Sequence, residues 1–148
     1  MAERPDAVET APLDLAIRAL RFRDCTAAEL AARLEQRGVG EAEREQALET
    51  LERIGYVNDE RFARTRAEQL AERGSGDALI RDDLEQRGIA TEAIECALAA
   101  LVPEAERAAA IVARRGASVR TARLLAARGF GEDAVESVVA WGGDEPIE

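Results

Sequence analysis

The chain has no histidine and no lysine, and only two cysteines, one tryptophan, one tyrosine and three phenylalanines. Each scarcity excludes something. Without histidine, and with Cys25 and Cys96 in no Cys-x-x-Cys pair, zinc-ligand spacing and a histidine-dependent nucleophile are both missing. The two thiols are expected to sit buried as small apolar side chains. Few aromatic and few β-branched residues leave a β-sandwich or parallel sheet without its usual material. No apolar run approaches the roughly 18 residues that a membrane helix needs. Met1–Asp6 is acidic and lacks an apolar stretch followed by a small-residue cleavage site, so a cytoplasmic protein with no membrane association is expected. There is no P-loop, no Gly-x-Ser-x-Gly and no Gly-x-Gly-x-x-Gly after a strand. Carboxylate pairs abound, but on Glu-rich helical surfaces they arise by chance, and a catalytic pair needs burial to move its pKa. The expectation is a protein with no catalytic residue, no metal and no cofactor.

What the chain does have is helix-forming material. Of its 148 residues 47% are hydrophobic, mostly Ala and Leu, and 34% are charged. Net charge is -10, and every basic residue is arginine. The average conceals an asymmetry: residues 1–60 carry -6, residues 61–101 carry -2, residues 102–128 carry +4 and residues 129–148 carry -6. One basic island, Arg107, Arg114, Arg115, Arg120, Arg123 and Arg128, interrupts an acidic chain.

Three segments repeat. They are Leu30–Val39, Ile80–Ile89 and Thr121–Phe130, each closing on Arg-Gly-apolar, with the glycines Gly38, Gly88 and Gly129 spaced by 50 and then 41 residues. A helix that closes in the left-handed region needs glycine just beyond its last residue, and the next residue then meets the side chain four positions before that glycine. This predicts the pairs Leu34 with Val39, Leu84 with Ile89 and Leu125 with Phe130. The preceding arginine faces the carbonyl end of the helix dipole. Gly55, Gly74 and Gly116 are expected to end the intervening helices similarly, with Leu51 meeting Tyr56.

Apolar spacing at i, i+3, i+4, i+7 supports the helices between these stops, as in Leu13-Ala16-Ile17-Leu20 and Ile94-Ala97-Leu98-Leu101. Start signals agree: Pro12 and Pro103 suit first turns, Thr26 with Glu29 makes a capping box, and Asn58 and Thr91 suit N-caps, whereas Gly131 stands where Ser or Thr is expected. Nine helices follow, over 12–23, 26–37, 41–54, 58–73, 77–87, 91–101, 104–115, 119–128 and 132–141. The fold class expected is all-α. Three tandem three-helix repeats, at residues 12–55, 57–102 and 103–142, form an elongated, curved helical array. Residues 1–11 and 143–148 are expected to be flexible and acidic.

Four stretches resemble one family. Arg23-Asp-Cys-Thr-Ala-Ala-Glu-Leu30 with Leu34 and Arg37-Gly38 resembles the opening repeat of RecX proteins. Gly55-Tyr-Val-Asn-Asp-Glu-Arg-Phe-Ala63 resembles their most recognisable motif, a glycine-aromatic turn, an Asx cap and a helix beginning Arg-Phe-Ala. Gly76 with Ile80-Arg81, Leu84 and Arg87-Gly88-Ile89, and then Leu124–Phe130, resemble the second and third repeats. The resemblance runs through residues 12–141 in order. It implies a monomeric regulator that binds the RecA recombinase nucleoprotein filament and inhibits strand exchange, ATP hydrolysis and co-protease activity, meeting single-stranded DNA only within the filament. The rival readings are a generic helical scaffold joining two proteins and a small helix-turn-helix DNA-binding protein. Net negative charge opposes the last, because phosphate neutralisation supplies most sequence-independent affinity.

Within this frame Gly38, Gly55, Tyr56, Asp59, Phe62, Gly88, Gly129 and Phe130 are read as structural, serving the turns that join and close helices. The six arginines of the island are the candidates for contact with RecA or bound DNA; four of them, Arg114, Arg115, Arg120 and Arg123, straddle one helix junction. No aromatics interleave with them, which argues against base stacking. Trp141 is read as a cover for the last repeat, and Glu41, Glu43, Glu45, Glu49 and Glu52 as a solvated face.

Overall fold

The computed structural model describes residues 6–22 and 24–142, and the side chains of residues 12–20 and 24–138. Among the described residues there are nine helices and no strand. They are α1 (Asp6–Phe22), α2 (Ala27–Gln36), α3 (Glu41–Arg53), α4 (Asp59–Glu72), α5 (Asp77–Gln86), α6 (Thr91–Ala99), α7 (Glu104–Arg115), α8 (Val119–Ala127) and α9 (Glu132–Gly142). The fold is all-α, and the expected boundaries hold to within two residues except at α1. That helix starts at Asp6, so residues 6–11, expected to be flexible, are helical, and Pro12 lies inside the helix rather than in its first turn. Proline there brings no N–H to the Val8 carbonyl, at a cost of about 3 kcal/mol. Burial of Pro12 and of Ala16 one turn on offsets it. The expectations for residues 1–5 and 143–148 and for the Trp141 side chain lie outside the described residues.

Two compact units make up the described chain. The first runs to Phe62 and includes Arg87–Ile89; the second comprises Ala63–Gln86 and the residues from Ala90 onward, so the division falls within α4. In the first unit α1, α2 and α3 pack on one another around Leu30, Leu34, Leu51 and Val57. In the second, α5 packs on α6, and α7, α8 and α9 pack together around Ile111, Leu125, Phe130 and Val138. Ile80, Leu84 and Ile94 are also fully buried there.

The helix stops follow one design. At Gly38 (φ +82°) the glycine amide donates to the Glu35 carbonyl at 3.0 Å and the Val39 amide to the Leu34 carbonyl at 3.0 Å. The same two bonds recur at Gly55, Gly74 and Gly129, and Gly88 shares the left-handed φ at +80°. At Gly38 and Gly129 this places the following apolar residue against the end of its own helix: Val39 and Phe130 are buried in the same clusters as Leu34 and Leu125, Ile89 is buried after Gly88, and after Gly74 the buried follower is Ser75. Two expectations fail. Gly116 has φ +91° with ψ 152°, outside the left-handed helical region, so α7 ends differently. Tyr56 is 56% exposed, because the next residue, Val57, enters the core instead.

The starts agree less uniformly. Thr26 and Glu29 form the capping box, and Asn58 accepts the Arg61 amide at 3.0 Å. Thr91, expected as a cap, is the first residue of α6 behind Ala90, which has no side chain to cap with. Cys25 is buried as expected, but Cys96 is exposed: Ile94, Ala97 and Leu98 form the buried stripe of α6 and Cys96 falls outside it.

Two glycine turns are also close approaches. A Cβ at Gly88 would stand 2.4 Å from the Ala28 Cβ, and one at Gly129 would stand 2.7 Å from the Leu79 nitrogen, whereas nothing lies within 4 Å at Gly55. Gly129→Ala is therefore expected to cost about 2–4 kcal/mol, combining left-handed strain with a clash, and Gly55→Ala about 1–2 kcal/mol from strain alone. Urea unfolding of the two variants measures the difference; equal losses would remove the close approach as a cause.

Candidate partner-binding site

α7 and α8 meet at a turn that closes on itself. Ser118 caps α8 by accepting the Thr121 amide at 3.1 Å, and the Thr121 hydroxyl donates to the Gly116 carbonyl at 2.7 Å. Thr121 is buried for this purpose, 3% exposed on a helix whose neighbours are arginines. The closed turn sets where Arg114 and Arg115 leave one helix and where Arg120 and Arg123 enter the next. Arg115, Arg120 and Arg123 line a hollow of about 500 Å³ whose remaining wall is Ser118, Thr121 and Leu124. All four arginines are exposed, and none has an ion pair among the described residues.

The other two members of the island are placed differently. Arg107 pairs with Asp77 and donates to the Ser75 carbonyl at 2.9 Å and the Val102 carbonyl at 2.8 Å. Its guanidinium lies 5.9 Å from the centre of the Phe130 ring, and its side chain keeps only 11% of its accessibility. It braces the start of α7 against the α4–α5 turn. Arg128 is half-buried, and a Cβ on Gly74 would come within 2.6 Å of its Nη1. With Arg114 and Arg115 it lines a second hollow, of about 310 Å³, that also includes Glu72 and Arg73. Sequence reasoning missed Arg73, which lies far from the island in the chain and whose only signal is its place beside Gly74.

The helix dipoles rank the two hollows. Arg73, Arg114, Arg115 and Arg128 stand at the carbonyl ends of α4, α7 and α8, where their charge is partly spent on those dipoles. The Ser118 hollow opens at the amide end of α8, where the dipole has the same sign as Arg120 and Arg123; its third arginine, Arg115, is shared with the other hollow. The Ser118 hollow is the stronger place for an anionic group.

The residues of the glycine-aromatic motif are engaged in structure. Asp59 accepts the Ala27 amide at 2.9 Å, serving the start of α2, and Phe62 lies under the Arg87 guanidinium at 5.5 Å. Glu95 forms a two-bond pair with Arg81 at 2.8 and 3.3 Å. The hydrogen bond from Arg81 holds the Glu95 carboxyl below the usual carboxylate range, against a smaller opposing effect of desolvation. It is a surface ion pair, without the burial that raises a catalytic acid. Among the described residues no three His, Cys, Asp or Glu side chains lie close enough to share a metal ion. No helix among them is long and apolar enough to cross a membrane.

Residues 58–98 match a family profile described as RecX, second three-helix domain. Regulatory protein RecX of Halorhodospira halophila is 33% identical over 144 residues, covering 90% of this chain and 89% of that protein. Its counterpart in Thermus thermophilus is 38% identical over 123 residues, covering 80% and 82%. The crystal structure of RecX from Lactobacillus salivarius superposes with a TM-score of 0.78 at 18% identity, over 92% of this chain and 97% of that one, a likeness of fold.

The contrast between braced and unpaired arginines has a direct measure. Arg107→Ser is expected to lower stability by about 2–4 kcal/mol, because it leaves Asp77 and two carbonyls without their donor. Arg123→Ser is expected to change it by less than about 0.5 kcal/mol. Thermal unfolding of both variants checks this; a neutral Arg107→Ser would return that residue to the exposed set.

Proposed function

The chain belongs to the RecX family of regulatory proteins, and from that premise we propose that it acts without catalysis, by binding the RecA recombinase filament in the cytoplasm as a monomer. On this reading it restrains strand exchange, ATP hydrolysis and co-protease activity, and so acts in recombinational repair and the SOS response. Its helices work as three repeats, residues 12–55, 57–102 and 103–142. Single-stranded DNA is met only inside the filament. The observation that carries the reading is the cluster of four exposed arginines at the α7–α8 turn, unpaired among the described residues of a chain with net charge -10. An acidic protein gains little from bare DNA, where like charge opposes approach. A local basic patch on such a protein suits a surface that combines protein with phosphate, where it steers encounter and fixes register.

The test follows ATP turnover and length of RecA filaments on single-stranded DNA while the protein is titrated in. Loss of turnover at sub-stoichiometric protein is the expected result. No effect, together with tight binding to bare duplex, would sink the reading in favour of a helix-turn-helix protein. Replacing Arg114, Arg115, Arg120 and Arg123 with Ser is expected to weaken filament binding by about 1.4–2.8 kcal/mol, roughly ten- to hundredfold in Kd, at unchanged helix content. Unaltered binding would remove the patch from the mechanism.

A further inference from the structure

Two junctions inside the molecule share a pattern. In the first unit the turn Arg87–Gly88–Ile89 sits on the first turn of α2: the Thr26 hydroxyl donates to the Arg87 carbonyl at 2.7 Å, the Arg87 guanidinium meets the Glu29 carboxylate at 3.4 Å, and Gly88 stands against Ala28. In the second unit the turn Arg128–Gly129–Phe130 sits on the first turn of α5, where the amides of Gly76 and Ala78 donate to the carbonyls of Arg128 and Gly129 at 2.8 and 3.2 Å. At Gly88 the residue approached is Ala28, the second of α2, whereas at Gly129 it is Leu79, the third of α5, through its nitrogen and Cβ.

The third such turn, Arg37–Gly38–Val39, has the same φ, the same backbone bonds and the same buried apolar residue, yet nothing lies within 4 Å of the position a Gly38 Cβ would take. Beside it α1 and α2 leave a hollow of about 510 Å³. Its floor includes Leu15, Leu30 and Leu34, and its rim carries Arg18, Arg33 and Arg37, none of which has an ion pair among the described residues.

We propose that this turn and the arginine-rimmed hollow form a docking surface for the start of an acidic helix on the partner protein. That helix has a small second residue to admit Gly38 and a carboxylate in its first turn to meet the rim, as α2 offers Ala28 and Glu29 to the turn at Gly88. The junction at Gly88 supplies the template and the three arginines the charge preference. A second copy of this chain is the rival occupant, since its α3 begins Glu41-Ala42-Glu43; self-association of the intact protein that the Arg33→Glu, Arg37→Glu reversal abolishes would overturn the assignment to the partner protein.

The inference rests on the RecA filament being the partner, and names the kind of surface met there. Binding to RecA filaments on single-stranded DNA is measured for the intact protein and three variants. Gly38→Asn keeps a residue that tolerates left-handed backbone but fills the space a docked helix needs. Gly55→Asn is the matched control, with the same φ of +82° and equally open surroundings. The double charge reversal Arg33→Glu with Arg37→Glu alters the rim alone and keeps the test valid should Gly38→Asn fold poorly. Gly38→Asn and the charge reversal are expected to weaken binding by about tenfold or more, and Gly55→Asn by less than about twofold. Wild-type affinity in a folded Gly38→Asn or in the charge reversal, or an equal loss in Gly55→Asn, overturns the docking surface and leaves the filament reading standing. Absence of binding by the unaltered protein overturns both.

Discussion

The structure depends on how closely a polypeptide turn can approach the start of a helix. Arg-Gly-apolar turns end α5 and α8, and in each the glycine comes near enough to a helix start that a single added carbon would collide with it. Three constraints meet at that residue: a left-handed backbone, a helix end to close, and a neighbour in contact. Only glycine satisfies them together. The flanking positions divide the remaining tasks, the arginine toward the receiving helix or its surroundings and the apolar residue into the core.

The same logic explains which features were legible in the sequence. The glycines and their apolar followers announce helix ends because the chemistry that demands them is local, and eight of the nine helices fall where spacing and stops put them. Pro12 was misread because a proline's preference for first turns is a local rule, and packing around α1 overrode it. Thr91 was misread because the preference of threonine for N-caps is likewise a local rule, and it lies one position too late, inside the start of α6. Cys96 was misread because the two cysteines look alike in composition and differ only in which side of a helix they occupy.

The arginines were legible as a group and illegible as individuals. Counting along the chain locates the island, but whether Arg107 braces the fold or faces a partner depends on Asp77, Ser75 and Phe130, which are near it only in space. The hollow rimmed by Arg18, Arg33 and Arg37 was hidden by the opposite error, since those residues sit in a net acidic stretch and vanish into its average. Charge summed over sequence windows follows the chain, whereas a binding surface follows the packing.

Glu104 shows how far one side chain's influence extends. It opens α7, and its Oε1 accepts the Gly131 amide at 3.0 Å and the Asp77 amide at 3.3 Å, at the starts of α9 and α5. Gly131 has no side chain with which to serve its own helix, so α9 borrows its first contact from another element. The first amide of that turn is therefore held by α7. Any local opening that carries residue 104 away frays two distant helix starts at once, coupling parts of the fold that share little apolar contact.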